Sequence, residues 1–220
     1  AVSTETVFAV VDNDMKTGDK EEASQVLSTY RDRLSDSGRI RADATIAALF
    51  LEAGDVKSAE PFLKRAEKAY PPKAAQDDAA LNQAMARMIY AALAPLDREY
   101  MGLRLQGNID NQIVATKNGL LDRLEKGYQR VMQLKSAEWI LKACDRPSLI
   151  NSELARFRRE SPLPTELADE QKEQYAQIIG QKAQSYADKA DQYRQAALQQ
   201  GRKWEVCDPE LAGYFSLSDH

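Results

Sequence analysis

Two glycine–aspartate pairs, Gly18-Asp19 and Gly54-Asp55, stand 36 residues apart, and each separates one helical pattern from the next. The correspondence continues downstream, where Ala23 and Leu27 match Ala59 and Leu63. Glycine takes the left-handed conformation that ends a helix without steric penalty. A unit of this length with two helices is the mark of a helical repeat array. One such hairpin cannot bury its apolar face alone and must stack on neighbours. No other feature of the chain restricts the fold as much.

The surrounding periodicity agrees with helices throughout. Residues 20–34 place Ala23, Val26, Leu27, Tyr30 and Leu34 on one stripe, and Ser35-Asp36-Ser37-Gly38 then punctuates the chain. Residues 40–53 carry Ile46, Ala47, Leu49, Phe50 and Ala53, and residues 56–70 carry Ala59, Phe62, Leu63, Ala66 and Ala69. Pro71-Pro72 ends that helix, because proline cannot continue the hydrogen-bond ladder. Beyond it the period lapses. One helix is expected over 74–94, stopped near Pro95, with a short one over 96–106. Ile109, Ile113, Leu120, Leu124, Tyr128, Val131 and Leu134 form a long stripe. Ser136 caps a helix bearing Trp139, Ile140 and Ala143, in which Pro147 predicts a kink or break. Ser161-Pro162-Leu163-Pro164 reads as a linker and Thr165 as the N-cap of a last helix, stepping from Tyr175 through Ala183, Ala190 and Ala197 to about Gly201. A tail from Trp204 to His220 looks irregular. Good helix formers dominate the 220 residues and alternating strand patterns are scarce, so the fold class is all-α.

The second unit resembles a tetratricopeptide (TPR) repeat. Ile46, Ala47, Phe50, Gly54, Ala59, Leu63, Ala66 and Pro71 occupy the positions where that family has its large, small, aromatic, turn and closing residues. The first unit departs from the pattern with Asp14 at the aromatic position and Ser35 at the closing one. The resemblance implies TPR-like antiparallel hairpins, an α-α superhelix, continuing into longer and less regular helices. The domain division expected from it is 1–72 for two hairpins, 73–203 for a degenerate TPR-like, long-helix region and 204–220 for the tail. Residues 117–200 are similar to the C-terminal part of large multi-TPR proteins of the bacterial envelope, some linked to gliding motility. That similarity implies a periplasmic or outer-membrane-associated location in preference to the cytoplasm. A chain starting at Ala1 without Met agrees with a removed export signal.

Catalytic chemistry finds little support. A net charge of −4 argues against a general nucleic-acid binder, and Arg156, Arg158 and Arg159 read as a solvated helix face. No run of about 18 apolar residues is present to span a membrane. Histidine occurs once, at the terminal His220, so triads and His-based metal sites lack their key residue. Cys144 and Cys207 are either two buried thiols or one disulfide. A calcium loop counted from Asp12 would need Gly and Glu where Thr17 and Ala23 stand. Phosphate-binding glycine loops are missing, and Tyr175, Tyr186 and Tyr193 read as a packing seam. No cofactor or metal is expected.

The TPR resemblance instead implies a concave face formed by the first helix of each unit, binding a protein or peptide. Its candidate residues are Phe8, Asp12, Met15, Arg41, Leu51 and Glu52, with Phe8, Met15 and Leu51 as an apolar floor. Phe8, Asp12 and Thr45 occupy the places of the carboxylate clamp of chaperone-binding TPRs, so that specificity is not expected. The leading expectation is a non-catalytic interaction scaffold in an envelope-associated assembly. The alternatives are a structural, self-associating helical segment of a larger protein and, as a minor one, a carboxylate-based enzyme.

Overall fold

The computed structural model describes residues 3–70, 78–104, 111–164 and 166–204. The protein is all-α, with eight α-helices, one 3₁₀ turn and no strand among the described residues. The helices are α1 (Thr4–Thr17), α2 (Lys20–Tyr30), α3 (Asp36–Glu52), α4 (Val56–Ala69), α5 (Ala79–Gly102), α6 (Asn111–Gln133), α7 (Ala137–Arg159) and α8 (Asp169–Trp204).

The 36-residue correspondence is a structural one at the junctions. Gly18 and Gly54 both have positive φ, 87° and 82°, and both close a helix. Around the first, Gly18 N–H donates to Met15 O and Asp19 N–H to Asp14 O at 2.8 Å. Around the second, Gly54 N–H donates to Leu51 O and Asp55 N–H to Phe50 O at 2.9 Å. These bonds satisfy the carbonyls that a helix end leaves without partners. Each aspartate then starts the next helix, Asp19 accepting from Glu22 N–H and Asp55 from Ser58 N–H. Four residues after each aspartate comes a fully buried alanine, Ala23 or Ala59. Consequently α1 packs on α2 and α3 on α4 as two helical hairpins.

The hairpins are pinned to each other by side chains of α1, α2 and α3. Val7, Phe8, Val11, Ala23, Leu27, Leu34, Ala42, Ile46 and Leu49 share one core. Helix α3 is the centre of this arrangement, because apolar or small residues occupy nearly its whole circumference, as a helix buried on several sides requires. It also begins earlier than the Ser35–Gly38 punctuation suggests. Ser35 is its N-cap, accepting from Gly38 N–H, and Gly38 lies within the first turn. A Cβ there would sit 2.8 Å from Thr4 Cγ2, so the glycine serves a close approach of α1 and not a break. Asp78 caps α5 through Leu81 N–H and accepts a hydrogen bond from Ser37.

Two compact units emerge, Ala1–Ala92 with Gln133–Trp139, and Leu93–Met132 with Ile140–His220. The chain passes between them three times, within α5, at the end of α6 and within α7. In the first unit, Leu51, Ala59 and Ala91 form a second buried cluster, and Trp139 returns to stack beside Tyr90 with ring centres 5.3 Å apart.

The second unit is built around buried tyrosines and charged pairs. Tyr100 O–H donates to Ile150 O at 2.7 Å, and Tyr128 O–H to Asp97, which also takes both Nε and Nη2 of Arg146. Gly127 allows α6 to meet Leu93, whose Cδ2 would lie 2.4 Å from an added Cβ. Ala183, Ala190 and Ala197 are buried at a seven-residue spacing along α8.

Two prolines behave differently from expectation. Pro95 lies inside α5 and Pro147 inside α7, and neither ends its helix. A proline interior to a helix forfeits one backbone bond and crowds the preceding turn, at about 3 kcal/mol or more. Packing on both sides offsets that cost, with Leu93, Asp97 and Tyr100 flanking Pro95, and Cys144, Ser148 and Ile150 flanking Pro147, all buried. Asn151 Nδ2 also donates to Pro147 O at 2.9 Å. Pro71, Pro72, Ile109, Thr165 and the tail after Trp204 lie outside the described residues.

Candidate interaction surface

The face expected to bind a partner belongs to α1 and α3, and its six residues do not share one environment. Phe8 and Leu51 are core residues, 2% and 9% exposed, and Ala44 and Ala48 of the same α3 face are fully buried. Phe8 packs with Val7, Val11 and Ile46, while Leu51 packs with Ala59 and Ala91. Met15 is half-buried against the same core as Phe8. The apolar floor expected from the sequence is therefore closed. Its hydrophobic side chains are consumed in joining helices, because α3 has neighbours on nearly every side.

What the face offers to solvent is polar. The Arg41 guanidinium lies over the Phe8 ring, 3.6 Å from its centre, and reaches Asp12 at 3.8 Å. Such stacking lets the planar cation cover an aromatic face while keeping a carboxylate partner. Burial lowers the Arg41 pKa, against the opposing pull of Asp12 and Asp78. Near the other end of α3, Glu52 accepts two hydrogen bonds from Arg87, at 2.7 and 2.8 Å, and one from Lys20 at 3.3 Å. Desolvation raises the Glu52 carboxyl, but Arg87 and Lys20 more than offset it and hold the group below its ordinary value. Asp12, Arg41 and Glu52 thus remain accessible in part, joined by Lys20 and Arg87, which the sequence did not single out. Arg87 could not have been found by the 36-residue register, since its helix lies beyond the two matching units.

Elsewhere the charged residues are mostly committed to structure. Lys117 is fully buried in the second unit and donates to Tyr100 O, Leu103 O and Glu153, capping the end of α5. Its ammonium also lies over the Tyr100 and Phe157 rings. Desolvation lowers its pKa, opposed by the Glu153 charge. Glu153 in turn holds Arg104 and Arg156. The arginines of the 156–159 run have partners, Arg156 on Glu153 and Glu160 of its own neighbourhood, Arg158 on Asn118 of α6 and Arg159 on Gln184 of α8.

The Cys144 thiol is buried, 3.4 Å from Met132 Sδ, and burial together with Asp145 pushes its pKa up to about 11. A thiol held protonated is a poor nucleophile at neutral pH. Its proposed partner Cys207 lies outside the described residues, as does His220. Among the described residues no cluster of three or more His, Cys, Asp or Glu side chains is arranged to hold a metal ion, and no helix is long and apolar enough to cross a membrane. No family model, curated protein or solved structure matches the chain.

Proposed function

We propose that the first unit is a TPR-like protein-interaction module and that its partner is a protein or peptide bound along the polar α1–α3 face. One observation supports this reading above the others: the same glycine turn, aspartate cap and buried alanine occur twice at a 36-residue interval, joining two stacked hairpins. A repeated hairpin is a means of extending a surface, since each copy adds a helix of fixed spacing to the same side. The alternating charges of Asp12, Arg41, Glu52, Lys20 and Arg87 favour a partner of mixed charge, recognised through hydrogen bonds and ion pairs. This differs from the apolar helix or peptide that an open Phe8–Leu51 floor would accept.

The test is affinity capture with the full chain, comparing the wild type with an Asp12→Lys, Glu52→Lys double variant. Both side chains reach solvent, so the core is not altered by design. Loss of a reproducibly captured protein from the variant is the expected result. An unchanged set of captured proteins would dismiss this face.

Self-association is the second reading, favoured by the length of α8, whose 36 residues include only five buried ones, Ala183, Ala190, Ala197, Leu198 and Gly201, among those described. Sedimentation over a wide concentration range separates the two. A mass that stays monomeric would eliminate self-association.

A further inference from the structure

On the side of α3 away from the interaction face lies a cavity of about 540 Å³ lined by four cations and two carboxylates. Positions 36, 39 and 43 line it, whereas positions 41, 48 and 52 point to the opposite side of a helix with 3.6 residues per turn. Arg31 enters from the 3₁₀ turn after α2, Arg39 from α3, and Arg65 and Lys68 from the last turns of α4. Asp36 and Asp43 are the acids, so the lining carries two positive charges in excess, within a chain whose net charge is −4.

The arrangement is built and not a loose surface cluster. Asp43 is buried and receives Arg31 Nε at 2.9 Å and Nη2 at 2.7 Å, together with Arg65 Nη2 at 3.0 Å. Arg65 also lies over the Phe62 ring, 4.6 Å from its centre. One carboxylate therefore orders two guanidiniums side by side. Each guanidinium has five N–H donors, and Asp43, together with the exposed Asp32 that takes Arg31 Nη1 at 3.1 Å, does not exhaust them. Arg39 pairs with Asp36, which is almost fully exposed, and Lys68 makes no ion pair among the described residues. Fixing the donors beforehand removes the ordering cost that a ligand would otherwise meet.

We propose that this cavity binds a phosphate monoester group. A tetrahedral dianion presents three oxygens to donors arriving from several directions and matches two excess positive charges. A single carboxylate is planar, carries one charge and offers two oxygens, so it leaves part of the excess charge and some of the donor directions unmatched. The site is separate from the interaction face and stands or falls independently of it.

The experiment is a titration of the full chain, followed by nuclear magnetic resonance of backbone amides and arginine Nε–H groups, at low chloride. The probes are O-phosphoserine, inorganic phosphate and acetate. Saturable shifts at Arg31, Arg65 and Lys68 are expected with both phosphate probes, and weaker ones with acetate. Affinity for phosphoserine should rise between pH 5 and pH 7, because its second ionisation falls near pH 6. Lys68→Gln should weaken binding about tenfold, the value of one charged hydrogen bond, without a change in melting temperature. Arg39→Gln provides a second variant that leaves the Asp43 cluster intact. Shifts that grow linearly without saturation, equal binding of acetate, or undiminished affinity in both variants would each overturn the site. Binding of inorganic phosphate but not phosphoserine would overturn the monoester assignment.

Discussion

Asp43 shows how much a single residue can organise. Burial raises its carboxyl, yet hydrogen bonds and charge from Arg31 and Arg65 more than offset this and hold the pKa below the ordinary value. A carboxylate with a depressed native pKa stabilises the fold fully above its unfolded value, about 3.9 for Asp, and loses that contribution as pH falls through the native value. Asp43→Asn should therefore cost about 2 kcal/mol at pH 7, less than for a wholly buried pair because Arg31 and Arg65 reach solvent. The difference from wild type should begin to shrink below about pH 4, where Asp43 of the unfolded chain takes up its proton, and should keep shrinking until the native carboxyl protonates at lower pH. Urea unfolding at pH 7 and at pH 3 measures both values. A gap that widens on acidification would mean that the pairing does not stabilise the fold. None of this was legible in the sequence, where Asp43 reads as one acid within an apolar helix. Its partners lie 12 and 22 residues away, and pairings of that range are created by the packing of α2 and α4 around α3.

At the scale of elements, the junctions were legible because their chemistry is local. A glycine that needs positive φ and an aspartate that caps the following helix leave adjacent letters. Nothing lies within 4 Å of a Cβ added at Gly18 or Gly54, so alanine at either position meets only backbone strain. Gly18→Ala and Gly54→Ala should each cost about 1 kcal/mol, and the two values should agree closely. Denaturant midpoints of the two variants test the equivalence, and a severalfold disagreement would refute it. The helices that ran through proline were not legible, since the cost of Pro95 and Pro147 is local while the compensating burial comes from distant residues. The exposed floor failed for a related reason. The TPR resemblance put Phe8 and Leu51 on an open face, but α3 has too many neighbours to leave them open.

The whole molecule is discontinuous in sequence, because the first unit takes back Gln133–Trp139 after the chain has entered the second. Trp139 fills a place beside Tyr90, and Glu138 accepts a hydrogen bond from Gln83. Trp139→Ala should cost about 3 kcal/mol, as aromatic truncations in cores do. Hydrogen exchange should show the loss of protection in the first half of α5, around Tyr90. Protection lost only in α6 and α8 would contradict the assignment of Trp139 to the first unit. The same return has a consequence during synthesis. A ribosome adding 5 to 20 residues each second needs roughly 2 to 9 s to pass from residue 92 to residue 139. For that interval the nascent first unit waits with an open place at Tyr90, and the second unit has begun to emerge before the first can close.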